Sequence, residues 1–289
     1  MSPFRYREVP PPPDLAWAVE CFWLAEGDPG GTERIVPDGC PELVVQLGGE
    51  MLAGDEGEAL RPQPRALLVG QRTRALLVSP RGPFRTVAVR LRPGALGAVV
   101  RDHAGTLTDR WASLEELFGA KAHLLLHHLE DAPDEGARMA ALERFVRARL
   151  AGARRIARLD RALDAVRSMR GRISVRALRH AAGASERWLE RAFFREVGLA
   201  PRTLSGVLRV QSALLLRESL QSWAGLAAEL GYFDQPHLTR EFKRYAGLPP
   251  AALLEALGPL ARAFTEPERL RALLDVGSVQ DGRRAVTAG

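Results

Sequence analysis

Lysine and cysteine are nearly missing from this chain. Of its 41 basic residues only Lys121 and Lys243 are lysines, so guanidinium groups carry almost all of the positive charge. The two cysteines, Cys21 and Cys40, form no C-x-x-C pair and are too few for a disulfide framework or a four-cysteine zinc site. No run reaches the ~18 apolar residues that a membrane helix needs. The opening MSPFRYREVPPPPD has neither the basic start nor the apolar core of a signal peptide, so a cytoplasmic protein without a membrane partner is expected. Histidine is also scarce: His103, His123, His127, His128, His180 and His237 all lie outside the β-patterned stretch, which excludes a histidine-rich metal centre within a barrel. His123 and His127 stand four apart near Glu130 and Asp131, but a third ligand and supporting contacts are wanting, and no metal or cofactor is expected.

What is present is enough for about two domains of ~100–200 residues each. The chain has 289 residues, 46% hydrophobic and 26% charged, as in ordinary globular proteins. Its net charge of +6 is regional: residues 154–247 hold 18 Lys/Arg against nine Asp/Glu, a net +9 that leaves −3 for the remainder. A base composition that favours arginine everywhere does not explain that asymmetry. A nucleic-acid surface beside a weakly acidic partner domain does.

From about 32 to 91 the sequence alternates short aliphatic runs with Gly/Pro turns, giving strands at Arg34–Val36, Glu42–Leu47, Arg65–Val69, Arg74–Val78 and Arg85–Leu91. RALLV occurs twice, at 65–69 and 74–78, and the intervening GQRT predicts a hairpin with a loop beginning at Gly70. An antiparallel sheet, sandwich or small barrel follows. After Pro93 the period becomes helical: Ser113 and Glu116 form a capping box, and Lys121–Leu129 and Asp134–Leu150 carry helical spacing. Leu124, Leu125, Leu126 and Leu129 form a packing or dimer seam. Trp17, Phe22 and Trp23 fit a core or a lid better than a ligand stack. The turn Asp38-Gly39-Cys40-Pro41-Glu42 enters a strand, a buried inert thiol at Cys40 being the simpler reading and a reactive one the alternative.

The strongest signal is an internal repeat. Residues 189–201, LERAFFREVGLAP, and 238–250, LTREFKRYAGLPP, share L-x-R-x-F-x-R-x-x-G-L-x-P at an offset of 49. Leu178 and Gly183 match Leu226 and Gly231 at an offset of 48. Each copy has the form helix, glycine turn, second helix, with Ser185 or Asp234 suited to cap the second helix. Leu189 and Phe193 face inward in the first copy, as do Leu238, Phe242 and Tyr245 in the second. Arg187, Glu190 and Arg191 form the outer stripe of one, and His237, Arg240, Glu241 and Arg244 that of the other. Gly198 and Gly247 sit where left-handed caps end these helices, with Pro201 and Pro250 beyond. Thr203–Ser219 is an uninterrupted helical connector, able to hold the two second helices in successive major-groove segments ~34 Å apart.

On these residues, segment 154–257 resembles the DNA-binding domain of the AraC/XylS transcription regulators, two helix-turn-helix units joined by a long helix. The form G-[YF]-x-D-Q-x-x-L-x-R-x-F, Gly231 through Phe242, strengthens the match. Pro236, where the family often has a polar residue, and Glu190, an acid on the base-facing side, depart from the pattern. The stretches Trp23–Gly49 and Val87–Leu96 resemble a variant of the same family, implying a β-rich regulatory or oligomerisation domain.

The expected fold is therefore α+β with two domains: 1–150, antiparallel β-rich with following helices; 151–257, all-α with two helix-turn-helix units and a linker helix; and 258–289, a tail whose polar end GSVQDGRRAVTAG is expected to be poorly ordered. The expected function is sequence-specific DNA-binding regulation of transcription, effector-responsive through the first domain, and not catalysis. Double-stranded DNA is the expected partner; a small-molecule effector, RNA polymerase and a second copy of the chain are further candidates, and the effector pocket is undefined. Arg187, Glu190, Arg191, Gln235, His237 and Arg240 are the expected base contacts, because Arg forks match guanine and Glu accepts from cytosine. Arg195, Arg202, Lys243 and Arg244 are the expected phosphate contacts. Two competing classes remain open: an enzyme fused to a DNA-binding domain, as a metal-dependent barrel or an alkyl acceptor, and a non-specific architectural DNA binder.

Overall fold

The computed structural model describes residues 4–28, 30–217 and 222–274. Its first half is a sandwich of two antiparallel sheets. Strands β1 (Arg5–Val9), β2 (Val19–Gly27), β3 (Glu33–Ile35), β4 (Glu42–Gly48), β5 (Met51–Gly54), β6 (Arg61–Pro62), β7 (Ala66–Val69), β8 (Leu76–Pro80), β9 (Phe84–Leu91) and β10 (Trp111–Ser113) follow one another along the chain. The larger sheet has the order β1-β2-β9-β4-β7-β10 and the smaller β3-β8-β5-β6. Helices α1 (Leu96–Val100), α2 (Leu114–Phe118), α3 (Ala120–Glu130) and α4 (Glu135–Leu150) belong to the same half.

The large sheet is buried on both faces, which is why its central strands are apolar at nearly every position rather than at every second one. Along β2, Phe22 and Leu24 pack with the helices, whereas Cys21, Trp23 and Ala25 face the core between the sheets. The expected capping box at Ser113 and Glu116 starts α2. In α3, Leu125 and Leu129 enter the core, Leu126 is half-buried against it and Leu124 is exposed. Phe22 and Trp23 are core residues, and Trp17 is half-buried beside them.

The hairpin expected from the repeated RALLV does not form. β7 pairs with β4 and β10 in the large sheet, while β8 pairs with β3 and β5 in the small one. The intervening loop crosses between the sheets and bonds to residues 107–110: Gly70 N donates to Arg110 O, Asp109 N to Gln71 O, and Thr73 N to the Asp109 carboxylate. Gly70 is required by contact rather than by turn type, since a Cβ there would lie 2.0 Å from Leu107 O. Gly70→Ala is expected to lower stability by about 1–3 kcal/mol through overpacking, read as a fall in the thermal midpoint.

The second half is helical: α5 (Ala157–Ser168), α6 (Val175–Ala182), α7 (Glu186–Ala192) with a π-helical end at Phe193–Val197, α8 (Pro201–Leu216), α9 (Trp223–Glu229), α10 (Gln235–Ala246) and α11 (Pro250–Ala256). One core unites them, built on Leu189, Phe193, Leu238 and Phe242 with Val207, Leu208 and Val210 of α8, and Val36 from the first half joins it. The connector helix is present through Leu216; its predicted end at Ser219 lies outside the described residues.

The stretch set apart as a tail is helical where described. α12 (Pro259–Phe264) returns to the first half, where Leu260 and Phe264 enter the core between the sheets, and α13 (Pro267–Leu273) packs on α8, with Leu270 and Leu273 in the helical core. Pro259 and Pro267 stand at helix starts, where a missing N–H costs nothing. Residues 277–289, GSVQDGRRAVTAG, lie outside the described residues.

Candidate nucleic-acid interface

Both helix-turn-helix units follow the expected local chemistry. In the first, α6 ends at Gly183 in the left-handed region, and Ser185 caps α7 by accepting from Trp188 N at 3.2 Å. In the second, α9 is followed by Gly231, also left-handed, and the Asp234 carboxylate accepts from His237 N at 2.7 Å. Asp234→Ala leaves a first-turn amide of α10 without its acceptor and is expected to cost about 1 kcal/mol, visible as a lowered melting temperature. The inward stripes are fully buried: Leu189, Phe193, Leu238, Phe242 and Tyr245 are at most 2% exposed.

On the outer faces, Arg187, Glu190 and Arg191 of α7 and Gln235 and Arg240 of α10 are exposed. Among the described residues no carboxylate lies within ion-pairing distance of Arg187, Arg191 or Arg240, so the alternative pairing of Glu190 with Arg187 is not made. His237 is half-buried: its ring meets Tyr232 edge-on at 5.3 Å, and Nδ1 accepts from Phe233 N at 3.4 Å. Arg202, Lys243, Arg195 and Arg244 are exposed, Arg195 beside Glu196 and Arg244 over the Tyr245 ring at 5.2 Å. Glu241 departs from the outer stripe and pairs with Arg209 of the connector at 3.3 Å.

The basic excess of this half thus divides in two. Arg161 bonds the carbonyls of Ala181 and Ala182, Arg167 that of Leu273 and Arg172 that of Glu229, all serving as helix-end scaffolding. Among the described residues Arg187, Arg191 and Arg240 make no such bond and are exposed. Sequence reasoning missed one neighbour: Phe233, in the turn before α10, is 93% exposed. Its signal was available, since it falls outside the inward stripe.

Both second helices end against the β-rich half. At the first, Thr108 Oγ1 donates to Gly198 O, and Ala104 O would stand 3.0 Å from a Cβ on Gly198. At the second, Arg34 donates to Ala246 O at 3.2 Å while pairing with Glu56, whose carboxylate would stand 2.2 Å from a Cβ on Gly247. The turn at Asp38 to Cys40 touches the connector: Gln211 Nε2 donates to Pro37 O at 2.6 Å, and Gly39 approaches Leu204. Burial, with Asp38 and Glu20 nearby, holds the Cys40 thiol well above its ordinary range, and burial pushes Cys21 up to about 12. Neither thiol is ionised at neutral pH, so neither is a ready nucleophile. His123 pairs with Glu115 and His127 with Asp131 at 3.1 Å each. Among the described residues no three His, Cys, Asp or Glu side chains converge as a metal site, and no helix is long and apolar enough to cross a membrane.

Residues 178–256 match the family model described as a helix-turn-helix domain, and residues 7–113 match a domain of unknown function. No curated protein matches the chain. Among solved structures, ToxT from Vibrio cholerae O395 is 10% identical, with 82% of this chain and 98% of that chain covered and a TM-score of 0.43. Wild-type ToxT of Vibrio cholerae strain SCE256 bound to unsaturated fatty acid is 10% identical, with coverages of 88% and 95% and a TM-score of 0.42. The AraC-like transcriptional activator CuxR is 12% identical, with coverages of 75% and 87% and a TM-score of 0.27.

Proposed function

We propose that the chain, whose helix-turn-helix domain resembles that of the AraC/XylS regulators, regulates transcription by reading double-stranded DNA sequence-specifically, under control of an effector bound by its β-rich half. One observation carries the reading: Arg191 and Arg240, equivalent in the two repeats, are exposed on the outer faces of buried-stripe helices and have no ionic partner among the described residues. Arg187, Glu190, Arg191, Gln235, His237 and Arg240 contact base edges; Arg195, Arg202, Lys243 and Arg244 contact phosphates. The β-rich half is placed to sense and transmit, because it holds the closing end of each second helix. A shift in either seat changes the spacing of the two reading heads. RNA polymerase and a second copy of the chain are partners compatible with this role, and catalysis has no part in it.

Hydroxyl-radical footprinting on a selected site tests the geometry. Two protected segments about one helical turn, ~34 Å, apart on one face are expected from one chain; protection of a single segment contradicts it. Replacing Lys243 and Arg244 together by Gln is expected to weaken binding on all sequences alike and to lower the slope of log K against log salt by about 2. An unchanged slope removes both from the phosphate contacts.

A further inference from the structure

Between the two sheets lies a cavity lined by Trp23, Val44, Met51, Arg72, Arg90 and Phe264 among others. Its open part is about 90 Å³. That is below the roughly 150 Å³ that holds one benzene in an engineered protein cavity. Part of the space is filled from within, by Leu260 and Phe264 of α12, reaching back from beyond the DNA-binding domain.

The Phe264 ring is held as a bound aromatic molecule would be. Trp23 and Tyr6 meet it edge-on, each at 5.5 Å, and the guanidinium groups of Arg90 and Arg269 stand at 4.5 and 5.6 Å from its centre. Each contact uses the ring quadrupole, which any aromatic ring offers. α12 is held at its start by a single carboxylate: Glu33, 2% exposed, accepts from Leu260 N and Ala261 N at 3.2 Å each.

In the same cavity Arg72 has the most unmatched donors among the described residues. Arg72 is 9% exposed, and its Nε and Nη1 are buried without a hydrogen-bond partner. Its Nη2 bonds Asp55, but Asp55 also pairs with Arg74, and Asp109, 3.9 Å from Arg72, accepts from Thr73 N and Oγ1. Buried donors left unmatched in this way favour an anionic acceptor. Arg90 leaves only its Nε without a hydrogen bond, and its charge is balanced by Glu42 at 2.6 Å, Glu8 at 3.2 Å and Asp38 at 3.6 Å.

We propose that Pro259–Phe264 is an internal plug, and that the cavity takes a small aromatic carboxylate whose ring replaces that of Phe264 and whose carboxylate pairs with Arg72. Ligand and plug exclude each other. Because α12 follows directly on α11, occupancy frees the chain just beyond the second reading head. The regulatory meaning of that release rests on the proposed function; the exchange itself does not.

The test uses the full chain without DNA, with benzoate, phenylacetate and 1-naphthoate as probes, benzyl alcohol as the neutral counterpart and octanoate as the aliphatic one. Hydrogen exchange over residues 259–264 is expected to accelerate when an aromatic carboxylate is added. Phe264→Ala, which removes the competitor, is expected to tighten binding of that probe about tenfold or more, since apparent affinity scales with the competent fraction. Glu33→Gln leaves the cavity wall unchanged and loosens only the start of α12, so it is expected to tighten binding in the same direction should Phe264→Ala not fold. Arg72→Gln is expected to abolish the preference for carboxylate over alcohol. Binding with exchange of 259–264 slowed or unchanged, or absence of binding in both tightening variants, overturns the plug. Equal binding of octanoate overturns the aromatic site, and equal binding of benzyl alcohol overturns the role of Arg72. As no readout involves DNA, failure here is distinct from failure of DNA recognition.

Discussion

Alanine at Arg191 or at Arg240 is expected to weaken the preference of the protein for its selected DNA site, at the half which that arginine reads, while leaving the fold intact. Each side chain is exposed, lacks an ionic partner among the described residues and occupies the same place in its repeat. A bidentate arginine contact to guanine contributes about 1–3 kcal/mol of discrimination, so each variant should lose specificity by about 5- to 150-fold at its own half of the site. Folding should change by no more than about 0.5 kcal/mol, as neither side chain supports its neighbours. The contrast is Arg161→Ala, which removes the bonds to the carbonyls closing α6 and should lower stability without redirecting specificity. If both Arg191→Ala and Arg240→Ala kept wild-type discrimination at fixed salt, these arginines would not be the reading residues.

Arg90→Met is expected to be the most destabilising single change in the β-rich half. Arg90 is 1% exposed and is the ionic partner of Glu42, Glu8 and Asp38. Removing one member of a buried ionic cluster costs about 3–5 kcal/mol, because the remaining charges stay desolvated. The effect carries a pH signature. Burial raises the Glu42 carboxyl above its usual range and Arg90 opposes that rise. Without Arg90 it rises further, so the folded variant binds a proton that the unfolded chain has already released, and its stability falls as pH increases. Urea unfolding should therefore show a larger deficit at about pH 7.5 than at about pH 5. A deficit that shrinks towards neutral pH would contradict this assignment of charge.

The helical half was legible because its information is local. Caps at Ser185 and Asp234, glycines at helix ends and apolar residues four apart act within one or two turns, and the 49-residue repeat displayed each of them twice. The sandwich was legible only as strands. The repeated RALLV looked like a hairpin because adjacency in sequence is the simplest guide to pairing, yet the choice of sheet was made by residues 107–110, well away from the loop. β2 was not expected as a strand, since a strand covered on both faces loses the alternation that marks one. The docking of α12 was invisible for a similar reason: nothing near Phe264 names Trp23, Tyr6 or Glu33 as its partners. On the interface, exposed arginines could be placed from helical faces alone, whereas the diversion of Glu241 to Arg209 and the burial of His237 against Tyr232 depend on tertiary packing.

Selection of bound sequences from random double-stranded DNA at one physiological salt concentration, with and without small-molecule cell extract, tests the central claim most directly. The expected result is an enriched bipartite motif with half-sites about one helical turn, ~10 base pairs, apart, its degree of enrichment altered by the extract. Steeply salt-dependent binding without any enriched motif would mark a non-specific architectural protein and contradict the account.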